Sequence, residues 1–393
     1  MVEWKPLNKI VKSISTGLNP RQNFILNEED ASLYYVTVKE ITTNKVIFSD
    51  STDRITENAK QIINNRSKLS KGDILFSGIG TIGKVAYVDI PTSNWDCSES
   101  VFLIKPNELE TKGKYLAYIL SSDIAKNQYE RGAAGAIMKG VRKATLESLL
   151  IPIPSLEEQT RIVGILDTFT SAIDNLKEQI SQRRKQYEYY RDQLLDLEGK
   201  PEQDIHCWGE FCKMEKGNGV QKVDFVEKGI GCIHYGQIYT HYGSYAYETN
   251  KFVSEETFAK AKKASKGDVI LTDTSENVED ICKSVAWLGD DDIAVSNHAL
   301  IIKHNQNPKF LSYSTQTNSF FLQKRKVVVG VKVSGIKPDD LSKIRIFLPS
   351  IEEQNRNVSI LDTFEASIQN LEAQQEQRQK QYEYYRNKLL TFE

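Results

Sequence analysis

The stretch DILFSGIGTIGKVAYV, from Asp73 to Val88, holds the residue types most suggestive of chemistry. Gly78, Gly80 and Gly83 fall at the G-x-G-x-x-G spacing of a dinucleotide loop, and Gly78 to Lys84 stops one residue short of a phosphate-binding G-x-x-x-x-G-K-[ST]. Such loops work because a helix starts at the last glycine and aims its free N–H groups at the anion. Here Gly83 is followed by the strand-like KVAYV, and Val85 stands where a hydroxyl would hold magnesium. The residues predict a strand, a turn and a strand, with no nucleotide bound by this chain.

No other catalytic pattern stands out. There is no PP dipeptide, so the N/D-P-P-F/Y signature of amino-methyltransferases is absent, as are H-E-x-x-H and G-x-S-x-G. Cys97, Cys207, Cys212, Cys232 and Cys282 are odd in number and form no C-x-x-C, which reads as buried, reduced thiols. His206, Cys207, Cys212, Cys232 and His234 match no common zinc spacing, so no metal is expected. The reading is of a chain without catalytic residues.

Charge and aromatics point to binding instead. RGAAGAIMKGVRK, residues 131–143, carries Arg131, Lys139, Arg142 and Lys143 and no acid; QKRKVVVGVKVSGIK, residues 323–337, carries Lys324, Arg325, Lys326, Lys332 and Lys337 and again no acid. Basic, glycine-bearing loops suit phosphate backbones, where cations release counterions and glycine admits close approach. With Lys84 these residues are the candidate DNA contacts. Thr81, Ser98, Gln237, Asn297 and His298 are the candidate base readers; Gln237 and Asn297 suit the bidentate recognition of adenine. The competing readings are a solvated charged face and, for IHYGQIYTHYGSYAY (233–247), an aromatic strand pair packing within its own domain.

These groups need elements to position them. With 393 residues, 39% hydrophobic and 26% charged, the chain reads as a soluble protein of two or more domains. Its net charge of −2 selects no partner, and no run is long and apolar enough for a membrane or a signal segment, so a cytoplasmic location is expected.

The chain is written twice. Residues 154–195 align with 349–390 without a gap, with 27 identities in 42 positions at an offset of 195. In each copy a proline precedes Ser-x-Glu-Glu, and the S-x-x-E capping box predicts a helix start. From there Ile162, Leu166, Phe169, Ile173, Leu176, Ile180, Arg183, Tyr187, Tyr190, Leu194 and Leu197 recur at steps of four and three, a coiled-coil seam that the second copy repeats. A helix over 156–197 makes a rod of roughly 63 Å, and its natural mate is the other copy. Arg183 and Arg378 lie in the seam. They either snorkel to water or, with Tyr187, Tyr190, Tyr382 and Tyr385, meet helices of another protein.

The regions before each helix are rich in short strand-like runs, YYVTVKEIT, KVIF and GDILFS in the first, GCIHYGQIY, GDVILT, ALIIKH and KVVVGVKV in the second. The expected class is α+β: two β-rich domains alternating with two long helices that pair as an antiparallel coiled coil, an internal pseudo-two-fold repeat. The divisions are 1–153, a helical region 154–198, a linker 199–204, a second domain 205–348 and a helical region 349–393.

PSLEEQTRIVGILD (154–167), PSIEEQNRNVSILD (349–362), the GDILFSGIGTIGKVAYV run and the closing YEYYR segments together resemble the DNA-specificity subunit of type I restriction-modification enzymes. The resemblance spans the whole chain, though the second domain lacks the glycine hairpin. It implies two target-recognition domains, each reading one half of a bipartite, asymmetric site in double-stranded DNA, with the conserved paired helices setting the spacing. It implies further that the helices dock two methyltransferase (M) subunits, that restriction (R) subunits join, and that S-adenosylmethionine, ATP and Mg sit on those partners, this chain holding no cofactor. The rival reading is a coiled-coil adaptor whose two heads bind proteins and not DNA.

Overall fold

The computed structural model describes residues 2–42, 44–132, 140–330 and 334–392. The chain forms two units, Met1–Lys177 with Ala373–Glu393, and Glu178–Glu372. Each is mixed α+β.

In the first unit an antiparallel sheet runs in the order Val11–Thr16, Val101–Pro106, Ile74–Ser77, Val85–Tyr87. Its central strands are apolar on both faces because both are covered. Phe76, Ile104 and Val85 join the core beneath the helix Gly113–Leu120, and Leu75, Leu103 and Ala86 pack with Trp95. A smaller sheet holds Leu33–Val36 parallel to Trp95–Cys97. Glu3–Pro6 pairs with Leu150–Ile153 and brings the chain back to the start of the long helix.

The second unit repeats this plan with little sequence in common. Cys212–Lys216, Ala299–His304, Val269–Thr272 and Ser284–Trp287 take the same order, and Tyr245–Ala246 adds an edge strand. Ile230–Ile233 lies parallel to Ile293–Val295, and Ile205–Cys207 pairs with Arg345–Phe347. Even single bonds recur. The Gln128 side chain accepts from Leu150 N–H (2.8 Å) and donates to its carbonyl (3.0 Å), as Gln323 does with Arg345 (2.9 Å both). Two strand expectations fail in part. After Ile233 the aromatic run turns into the helix Tyr235–Thr240, capped by His234, and Lys326 and Val327, which open KVVVGVKV, end the helix Asn318–Val327, while 331–333 of that run lie outside the described residues. Both helices are backed by a threonine or histidine cap and apolar burial, which outweigh β-propensity.

The long helices are Leu156–Leu195 and Ile351–Leu390. Ser155 Oγ accepts from Glu158 N–H (3.2 Å) and Ser350 Oγ from Glu353 N–H (3.4 Å). The reciprocal half of the expected capping box is diverted, since the Glu158 carboxylate takes both Arg161 donors at 2.7 and 2.6 Å. In the first unit Ile162, Leu166 and Ile173 are buried in one core with Tyr382 and Leu390, and in the second Tyr187 and Leu195 share a core with Val358 and Leu361.

Candidate nucleic-acid interface

The glycine stretch is a β-hairpin: Ile74, Leu75 and Phe76 pair with Tyr87, Ala86 and Val85. Ser77 folds its tip, its hydroxyl donating to Thr81 O (2.6 Å) and accepting from Lys84 N–H (2.8 Å). Gly83 has φ +84°, and a Cβ there would meet the Tyr129 hydroxyl at 2.1 Å; one on Gly78 would meet the Phe102 ring at 2.3 Å. Turn geometry and close packing therefore explain these glycines.

The basic stretch ends against this hairpin. Val141 N–H donates to Gly78 O (2.8 Å), and Ile79 bridges Gly140. The second unit builds the same junction with no glycine on the hairpin side, where Asp273 and Thr274 stand. Ile336 N–H donates to Asp273 O (2.9 Å), and Thr274–Ser275 pairs with Ser334–Gly335. A third segment meets both: Gly78 N–H donates to Ser100 O (2.9 Å), and Asp273 N–H to His298 O (3.2 Å). In each unit a hairpin tip, a basic stretch and a strand-end loop are thus tied together by main-chain bonds.

The candidate contacts divide sharply around this junction. Arg131, Arg142, Lys143, Arg325, Lys326 and Lys337 are exposed, and Lys139 and Lys332 lie outside the described residues. Lys143 pairs with Glu147 at 3.6 Å. Lys84 is half-buried and donates to Val38 O (2.9 Å). Lys324 is 3% exposed and donates to the carbonyls of Glu279 (2.9 Å) and Ile281 (2.7 Å), so its charge serves the interior and not a phosphate. Burial holds its ammonium below the usual lysine range. Its position four residues after buried Phe320 is the signal, a helical period, that marks it as inward.

Among the candidate readers, Thr81 is exposed at the hairpin tip and His298 is exposed beside Asp273. Asn297 accepts from Gly219 N–H (3.1 Å). Ser98 is buried against the Ser100 hydroxyl (2.6 Å). Gln237 is turned inward, its carbonyl accepting from His234 N–H (2.8 Å) and its amide donating to Asn250, which removes it from the surface.

Each long helix is locked to its β-rich neighbour by the same groups. Gln159, fully buried, accepts from Lys112 N–H (2.8 Å) and donates to Pro154 O (3.0 Å); Gln354 does the same with Asn307 N–H (3.0 Å) and Pro349 O (2.8 Å). Asp167 accepts from Lys114 and Tyr118 at 2.7 Å each, and Asp362 from Lys309 and Tyr313 at 2.8 Å each. Tyr187 and Tyr382 are buried within their own units, at 9% and 2% exposure, leaving neither ring open to another protein. Tyr190 and Tyr385 stack on Phe364 and Phe169 yet remain partly exposed, Arg183 lies over Phe364 at 5.8 Å, and Arg378 is exposed and bonds Gln381. More open on the long helices are two rings outside the seam, Tyr189 and Tyr384, each edge-on to its tyrosine neighbour.

A family model described as the type I restriction modification DNA specificity domain matches residues 1–183 and 208–379. The EcoR124I/EcoR124II specificity subunit of Escherichia coli is 26% identical over 419 residues, covering 100% of this chain and 94% of that protein. The MjaVIII specificity subunit of Methanocaldococcus jannaschii is 24% identical over 331 residues, covering 76% and 77%. The S subunit of the type I system of M. genitalium shares the fold at a TM-score of 0.56 with 16% identity, covering 100% of this chain and 97% of that one. A chain from a structure of type I R-M complex assembly reaches 0.61 with 18% identity, covering 99% and 97%.

Proposed function

The chain belongs to the type I restriction modification DNA specificity family, and from that premise we propose how its two units divide the reading of a target. It is a non-catalytic specificity subunit of a type I restriction-modification enzyme that recognises DNA and works with M and R subunits. Residues 1–153 and 205–348 serve as target-recognition domains, each reading one half of a bipartite, asymmetric site. The observation that carries this is the junction of hairpin, basic stretch and strand-end loop, built on the same main-chain bonds in both units from different side chains. A constant frame with variable tips is what two readers of different words require.

The helices of 154–198 and 349–393 pair as an antiparallel coiled coil, an internal pseudo-two-fold repeat, and set the spacing between half-sites. Contacts inside the second unit support this, since Arg184 meets Glu372 and Tyr190 meets Phe364, the partner's number falling as the helix advances. The repeated, exposed Tyr189 and Tyr384 support two M subunits, one at each copy of the YEYYR segment. S-adenosylmethionine, ATP and Mg belong to the partners. The chain acts in the cytoplasm, where its DNA is.

Selection of duplexes from a random library, using the chain purified with its M subunits, tests the reading. A split, asymmetric motif with an unread spacer of fixed length is expected. Absence of any enriched motif and of salt-dependent DNA retention by the assembled complex would overturn it and leave the protein-binding adaptor.

A further inference from the structure

Resting on that reading, we propose that His298, oriented by Asp273, reads an exocyclic amino group of adenine or cytosine in the half-site of the second domain, a contact the first domain lacks. The two domains place different chemistry on one frame. Where Gly78 and Ser100 share a main-chain bond in the first, Asp273 and His298 share it in the second. The strand-end loop therefore carries an imidazole in one reader and a hydroxyl in the other.

His298 is held in an unusual conformation for this purpose. Its φ of 65° lies in the left-handed region, which few residues other than glycine occupy, and such conformations gather at functional positions. Its side chain is 52% exposed, so burial does not account for the conformation. Asp273 lies behind it, 5% exposed, and its Oδ1 has no hydrogen-bond partner. That oxygen stands 3.8 Å from His298 Nδ1, while Oδ2 faces Lys216 Nζ at 3.2 Å. Tyr235 meets the imidazole edge-on at 5.3 Å and limits its rotation.

A carboxylate beside Nδ1 favours the tautomer with the proton on that nitrogen, which leaves the Nε2 lone pair directed away from Asp273. His298 borders an open groove of about 560 Å³ together with Tyr239, Asn277 and Glu276. An acceptor at such a place matches the only major-groove donors, the amino groups of adenine and cytosine.

The experiment is the same duplex selection, run on complexes carrying His298→Gly, Asp273→Asn or neither. Glycine tolerates the left-handed backbone and brings no acceptor, so His298→Gly keeps the fold and removes only the imidazole. The expected result is an unchanged motif except at one base pair in one half-site, where preference falls roughly tenfold, the worth of one hydrogen bond to a base. Asp273→Asn weakens the same position by less. An unaltered motif, a loss spread evenly over all sequences, or changes in both half-sites would overturn the assignment. No motif from the parent complex would instead strike at the DNA-reading function itself.

Discussion

The ring of Phe169 stacks on that of Tyr385, 5.3 Å between centroids and 23° between planes. At the offset of 195, Phe364 stacks on Tyr190 at 5.2 Å and 27°. Each copy of the repeat thus packs its phenylalanine on the other copy's tyrosine, and neither copy closes on itself.

This exchange predicts a pattern of coupling. Phe169→Ala and Tyr385→Ala should each cost about 2 kcal/mol in denaturant unfolding of the full chain, and the double variant should cost about 1 kcal/mol less than their sum, as stacked aromatic pairs do. Phe169→Ala with Tyr190→Ala should be additive. Coupling in the second pair and not the first would mean that each copy packs on itself.

Removing the buried amide of Gln159 leaves Lys112 N–H and Pro154 O without their bonds. Gln159→Leu should therefore destabilise the chain by about 2 to 3 kcal/mol, the cost of stranding buried polar groups, and Gln354→Leu should do likewise at Asn307. Thermal unfolding measures the loss, and faster amide exchange at Lys112 or Asn307 would locate it. A neutral result would reduce the P-S-x-E-E-Q motif to its cap.

The basic residues should separate into two behaviours. Alanine at Arg131 and Arg142, or at Arg325 and Lys337, should weaken DNA binding and flatten the log–log salt slope by about two. Lys324→Ala should instead lower stability, because the carbonyls of Glu279 and Ile281 lose their donor. Equal slopes for all variants would place the exposed cations outside the DNA contact.

Asp96 supplies a pH dependence with a definite sign. It is fully buried, one oxygen accepting from Cys97 N–H at 2.9 Å and the other without a partner, and burial lifts its carboxyl to about 7. Unfolded, it would lose its proton near 3.8. Between these values the folded chain holds a proton that the unfolded chain has released. Its contribution is full below 3.8 and is lost at up to about 1.4 kcal/mol per unit as pH rises towards 7. Asp96→Asn keeps the acceptor and removes the titration, so its advantage over the parent should be larger at pH 8 than at pH 5. A pH-independent difference in urea titrations would refute the assignment.

Much of the scaffold was legible because its signals are local. The repeat, the serine caps, the heptad spacing and the missing helix after Gly83 all lie within a few residues of what they specify. The burial of Lys324 was half legible, for its spacing from Phe320 marks an inward face while its charge suggests the opposite. The helix at Tyr235–Thr240 was obscured by aromatic residues that favour strands, until His234 and Gln237 bonded each other across its first turn.

By itself the sequence determined that one plan is used twice and that each plan ends in a long amphipathic helix. Only the tertiary structure decided which phenylalanine meets which tyrosine, that the basic stretches end on the hairpin tips, and that Asp273 stands behind His298. Two closely matched stripes, spaced alike in both copies, carry little local label of their partner. That choice rests on contacts between residues far apart in the chain, made favourable only when the whole core is buried at once.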